Sequence, residues 1–150
     1  MELAYRLMTT LNKAARDVMV NFRVHACTDV TGFSLMGHLL EMAQGSEVQA
    51  VVHVDQVDII EEAAELAKMG VLPEGMYRNR TFAEPSVDVG DTPLHLQDVL
   101  FDPQTAGGLL IAADPADADA LLAALTPCVP SAQRIGEIRA YADGARILLR

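Results

Sequence analysis

The stretch His25-Ala-Cys-Thr-Asp-Val-Thr-Gly-Phe-Ser-Leu-Met-Gly-His-Leu39 changes character halfway along. Up to Gly32 it is polar and reads as a flexible segment; from Phe33 to Ala43 most residues are apolar. Within that apolar run Ser34, His38, Glu41 and Gly45 recur at steps of four, three and four. One narrow polar stripe on an otherwise apolar helix predicts a helix buried on most sides, ending near Gly45. The residues that follow, Val48 to Asp55, alternate Val48, Ala50, Val52 and Val54 with Gln49, Val51, His53 and Asp55, which predicts a strand.

Upstream, Ala4, Leu7, Met8, Leu11, Ala15 and Val18 share one helical face, so a packing helix is expected there. Downstream, Asp58 followed by Glu61 suggests a capped helix through Lys68 that stops at Gly70. Val71 to Asp98, with Gly75, Pro85, Gly90 and Pro93, is the least regular part and reads as a long loop. Gly108 to Ala113 reads as a short buried strand after a glycine turn. Asp114 is then expected to cap a helix with Pro115 at its first position and Asp117 as reciprocal partner. Two last β-like runs, Arg134 to Ala140 and Ala145 to Leu149, flank Asp143-Gly144, a hairpin signal. The whole predicts one mixed α/β (α+β) domain over residues 1–150, its helices packed on a largely antiparallel sheet.

Composition fits that class. A chain of 150 residues buries roughly 70% of the surface it exposes when unfolded, enough for a real core. Its 51% hydrophobic and 21% charged residues mark a globular rather than a disordered chain. A net charge of −10 argues against nucleic acid as a partner, since a phosphate backbone selects Lys and Arg. Nucleotides stay open, because Mg²⁺ bridges carboxylate and phosphate. Cys27 and Cys128 are far apart and lack metal-ligand spacing, so neither a disulfide scaffold nor a zinc site is expected, and a reducing cytoplasm is. No apolar run reaches membrane-span length, and Glu2, Arg6, Lys13 and Asp17 interrupt the N-terminal segment as no signal peptide allows.

Two segments gather polar residues too closely for plain connectors. In Thr28-Asp29-Val30-Thr31-Gly32 a carboxylate stands at a helix start, whose amides and dipole suit phosphate and whose carboxylate suits Mg²⁺. From spacing alone Asp29 or Thr31 is a helix cap before it is a ligand. In Asp102-Pro-Gln-Thr-Ala-Gly-Gly108 adjacent glycines permit either a close ligand or an ordinary turn. Neither is a P-loop. Arg78 and Arg80 fall on one side if their segment is extended and can then grip phosphate, though solvation or a local salt bridge accounts for them as well. His25, His38, His53 and His95 share no metal-site spacing, and Cys27 reads as a small buried residue.

Read as words, the same segments carry more. The stretch quoted first resembles the phrase ACTDVTGFGLLGHL of selenophosphate synthetases (selenide, water dikinases), and Asp102-Pro-Gln-Thr-Ala-Gly-Gly-Leu-Leu110 resembles their DPQTSGGLL. Gly75-Met-Tyr-Arg-Asn-Arg80 resembles their Gly-x-x-x-Arg-Asn segment, and the order of the three is right. Ser34 stands where the family has glycine, and Ala106 where it has serine, which removes a hydroxyl. The resemblance runs from about Leu3 to the end and implies the C-terminal, distantly ferredoxin-like domain of the aminoimidazole-ribonucleotide-synthetase-related superfamily. It implies that Asp29 contributes to a Mg²⁺-ATP site and that Thr28, Thr31 and Gly32 surround the phosphates. Asp102, Thr105, Gly107 and Gly108 then line the same cleft. It further implies an N-terminal ATP-binding domain as partner, ATP and selenide as substrates, a homodimer in the full-length enzyme and an inactive fragment alone. A sibling enzyme of the thiamine-monophosphate kinase or hydrogenase maturation type, and a non-catalytic anion-binding module, are the alternatives.

Overall fold

A strand buried on both faces needs neighbours along both edges, and Val48–Val52 (β2) has them. A computed structural model describes residues 2–150. In it Ala50, Val51 and Val52 are all buried, and β2 lies between Gly136–Ala140 (β5), antiparallel to it, and Ile147–Leu149 (β6), parallel to it. Val87–Asp88 (β3) extends the sheet beyond β6, giving the order β3-β6-β2-β5. The expected hairpin between the last two strands is therefore corrected: β2 separates them. Ile147 and Leu149 are wholly buried, and the edge of β2 offers them a covered slot that pairing with the exposed strand β5 does not.

A second, two-stranded antiparallel sheet joins Val24–Asp29 (β1) to Leu109–Ala113 (β4). The segment read as flexible is thus strand as far as Asp29. Its polar residues misled because the apolar run of β4 supplies the pairing partner from 80 positions on. The two longer ladders are antiparallel and the two short ones parallel, within the expected mixed α/β class.

The helices pack as the apolar spacing demands, with three corrections. Ser34–Gly45 (α3) ends where expected and buries Met36, Leu39 and Leu40 with Phe101, Ile147 and Leu149 in the main core. The N-terminal helix is two helices, Glu2–Thr9 (α1) and Lys13–Met19 (α2), because the Thr9 and Thr10 hydroxyls donate back to carbonyls of Tyr5 and Arg6 and end the first. Only α2 packs, setting Ala15 against Leu121 and Leu125 of Ala118–Leu125 (α7); α1 buries none of its residues. Glu61–Lys68 (α4) is preceded by Ile60 and has no side-chain cap, so Asp58 is not its cap; Glu61 and Glu62 place negative charge in its first turn instead. Asp114 accepts from the Ala116 amide at 2.9 Å, but α7 starts three residues beyond Pro115 and its N-cap residue is Asp117. The Asp117 carboxylate takes the backbone N–H and the guanidinium of Arg23, which hold it down to about pKa 2.

The largest correction concerns Val71 to Asp98. It is no loop: it holds Glu74–Ala83 (α5), β3 and Leu94–Leu100 (α6). The inward positions of α5 are Met76, Asn79 and Ala83, and α6 buries Asp98. Polar groups at core positions erase the apolar periodicity a reader looks for. Asp98 is matched by Arg80 at 3.1 Å, and Arg80 also bonds Gln97.

Ser34 carries backbone strain. It is fully buried with φ of +69°, left-handed, at the first turn of α3. Its Oγ accepts from the Gly37 amide at 3.3 Å, the bond an N-cap side chain makes, and that offsets part of the cost. Ser34→Gly is expected to raise stability by about 0.5–1 kcal/mol, since glycine relieves the φ and loses only a few tenths as a cap. Ser34→Ala keeps the strain, loses the bond and is expected to cost ~1 kcal/mol or more. Urea unfolding of both variants checks this; a glycine variant less stable than the parent would contradict it.

Candidate functional site

Because β1 and β4 run antiparallel, the end of one lies beside the start of the other, and this brings the two polar motifs together. Asp29 faces Leu109 in the ladder, and the pairing continues past it. The Val30 amide donates to the Gly108 carbonyl at 2.9 Å, the Gly107 amide to the Val30 carbonyl at 2.8 Å, and the Gln104 amide to the Thr31 carbonyl at 3.0 Å. Gly107 must be glycine for this approach: a Cβ there would lie 2.9 Å from Val30 Cγ1 and 3.0 Å from the Val30 carbonyl oxygen. The close contact that adjacent glycines suggested is first of all between the two loops.

A third segment clamps them. Asn79, 9% exposed, points its Nδ2 at two carbonyls, Gly32 at 2.9 Å and Phe101 at 3.1 Å. Only the NH₂ end of a carboxamide can serve two acceptors, and it has two protons to do so. One turn earlier Gly75 lets α5 lie against Pro103, where a Cβ would come within 2.9 Å of the proline ring. Gly75 and Asn79, four apart, therefore present one helix face to the Asp102 loop. This role of Asn79 was missed in the sequence. The signal was there in the spacing of Gly75 and Asn79, but it needs the segment to be helical.

At this seam lie all eight residues singled out. Asp29 is exposed, and its carboxylate has no side-chain partner among the described residues. Thr28 is half-buried; its hydroxyl donates weakly to its neighbour's carbonyl at 3.4 Å. The Thr31 hydroxyl meets His38 Nε2 at 3.1 Å. Gly32, Thr105 and Gly107 are exposed, and Gly108 has φ of +86°. Asp102 is half-buried, which pushes its carboxyl up from the usual range, and Gln104 Nε2 reaches it at 3.3 Å. Burial, and then the charge of Asp29, push the Cys27 thiol up, so it stays protonated. Among the described residues no three His, Cys, Asp or Glu side chains form a metal cluster, so any cation here depends on ligands from elsewhere.

Arg78 and Arg80 do not share a side. Two apart on a helix, they diverge: Arg78 pairs with Glu74 at 2.6 Å in solvent, and Arg80 turns inward over the Phe101 ring. Neither faces the seam as a phosphate grip. Flanking Gly32 instead is an aromatic pair, Phe33 and Phe82, with ring centroids 6.4 Å apart and each more than half exposed.

The family comparison places this mixed α/β domain in a known family. The chain belongs to the AIR synthase related protein family, as its C-terminal domain, whose model matches residues 2–148. Within that family it is similar to proteins named selenide, water dikinase. It is 44% identical to that of Treponema denticola over 134 residues, 85% of this chain and 38% of the relative. It is 45% identical to that of Pelobacter propionicus over 139 residues, 91% of this chain and 40% of the relative. The chain thus spans about two fifths of the length of these curated relatives.

Asn79→Ala is expected to lower stability by about 2–3 kcal/mol, since it removes two hydrogen bonds and leaves the buried Phe101 carbonyl unpaired. Asn79→Asp keeps the shape but turns acceptors toward acceptors and is expected to cost at least as much. Denaturant unfolding of the two variants checks the clamp; a loss under 1 kcal/mol in both would dismiss it.

Proposed function

We propose that this chain is the C-terminal part of a selenide, water dikinase, which makes selenophosphate, AMP and phosphate from ATP, selenide and water. The similarity to proteins of that name supports the reading, and one observation carries the site: an unpartnered, exposed Asp29 stands on a seam of two loops locked by backbone hydrogen bonds. The chain alone is expected to be inactive, its partner being an N-terminal ATP-binding domain of the same protein. Phe33 and Phe82, exposed beside the seam, suit a surface that such a domain covers. The complete enzyme is read as a cytoplasmic homodimer.

The residues present fit Mg²⁺. It is a hard cation that takes carboxylate oxygens and keeps water and phosphate as its other ligands, and Asp29 offers a carboxylate with no competing cation. Asp29 would be the ligand; bound, the metal neutralises phosphate charge as phosphoryl groups transfer. Thr28, Thr31 and Gly32 form the rim on the Asp29 side, and Asp102, Thr105, Gly107 and Gly108 the opposite rim. The chain's own contribution is rigidity. The clamp at Asn79 keeps both rims in register, so the carboxylate needs no reordering when nucleotide arrives. No catalytic residue is assigned to this chain.

The test is ³¹P NMR of the longer protein with Mg²⁺-ATP, with and without selenide. Selenide-dependent AMP and a selenophosphate signal are expected. ADP without selenide would point to a sibling kinase, and no turnover in folded protein to a non-catalytic anion-binding module. Asp29→Ala in the same protein is expected to raise the Mg²⁺ requirement by roughly tenfold or more, ~1.4 kcal/mol of lost binding; an unchanged requirement would remove Asp29 from the site.

A further inference from the structure

His38 stands one turn into α3 with its side chain 12% exposed, covered by the ring of Phe33 at a centroid distance of 5.6 Å. Its two ring nitrogens have different neighbours. Nδ1 lies 3.3 Å from a carboxylate oxygen of Glu41, and Nε2 lies 3.1 Å from the Thr31 hydroxyl. A neutral imidazole has one N–H and one lone pair, and the partner of one nitrogen decides the state of the other. An ionised carboxylate can only accept, so a lone pair on Nδ1 would face a negative oxygen at 3.3 Å. On a neutral ring this neighbour favours the proton on Nδ1. Nε2 is left with its lone pair, and the Thr31 hydroxyl satisfies it only by donating. Both lone pairs of the Thr31 oxygen then remain for whatever lies beyond the loop.

We propose that His38, set by Glu41, is a positioning residue that turns the Thr31 hydroxyl proton inward and presents Thr31 to the site as a hydrogen-bond acceptor. The inference rests on the reading of this seam as a Mg²⁺-nucleotide site and deepens it. Ionised phosphate oxygens also only accept, so Thr31 does not bond them directly. It would receive a donor instead, and a cation held at Asp29 would supply such donors through its bound water.

Long-range ¹H–¹⁵N correlation spectra of the histidine rings in this chain at neutral pH test the proposal. The expected spectrum shows His38 with Nδ1 protonated and Nε2 displaced from the free lone-pair position by an accepted hydrogen bond. In Thr31→Val the Nε2 displacement is expected to vanish while Nδ1 stays protonated. In Glu41→Gln, whose side-chain amide can donate to Nδ1, the population is expected to move toward the Nε2–H tautomer. An Nε2–H or doubly protonated ring in the unsubstituted chain would overturn the proposal, and that spectrum decides even if a variant does not fold. Since the readout needs no turnover, an Nδ1–H ring beside absent selenide-dependent turnover would leave the hydroxyl's polarity standing and overturn the reaction alone.

Discussion

One carboxamide holds the two loops of this protein in a single arrangement. Asn79 donates both its protons to carbonyls on opposite sides of the seam, Gly32 on one loop and Phe101 at the root of the other. Buried backbone carbonyls must be paired, and at this point β1 and β4 have ended and can no longer pair them. The side chain of α5 takes over from the sheet. The seam's backbone bonds, the tight passage of Gly107 over Val30 and the seating of α5 on Pro103 all require the loops to be held at this spacing.

The consequence is a division of labour. The core of α3, α5, β2 and β6 sets where the helices lie, and the seam at the end of the two-stranded sheet sets where the polar side chains lie. Asp29 has no side-chain partner among the described residues, whereas Thr31 is engaged with His38 and Asp102 with Gln104. That unmatched charge on the seam is what marks Asp29 as a candidate ligand.

Much of the fold was legible where apolar spacing carried it. α3, β4 and the stop of α4 at Gly70 fall where the residues suggest, and β2 does as far as Val52, beyond which Val54–Gln56 is a 3-10 turn instead of strand. What escaped was determined by distant partners. β1 is polar in sequence and becomes a strand through β4; β5 and β6 look like a hairpin until β2 is placed between them. The segment holding α5 and α6 reads as loop because Asn79 and Asp98 occupy core positions. The two motifs themselves were legible, and the resemblance implied that they line one cleft. Their physical union was not, because it depends on Asn79, whose function appears only once its helix exists. Ser34 is the opposite case: a small departure from the family phrase proves to carry a left-handed backbone that glycine would adopt freely.

The central claim is that the two loops are one unit, and native-state amide hydrogen exchange tests it most directly. The amides of Val30, Gln104 and Gly107 bridge the loops from three places along the chain. If the seam opens as a unit, they exchange with one common opening free energy, and Asn79→Ala lowers all three together. Three unrelated opening free energies, or a loss confined to one amide in the variant, would contradict the account.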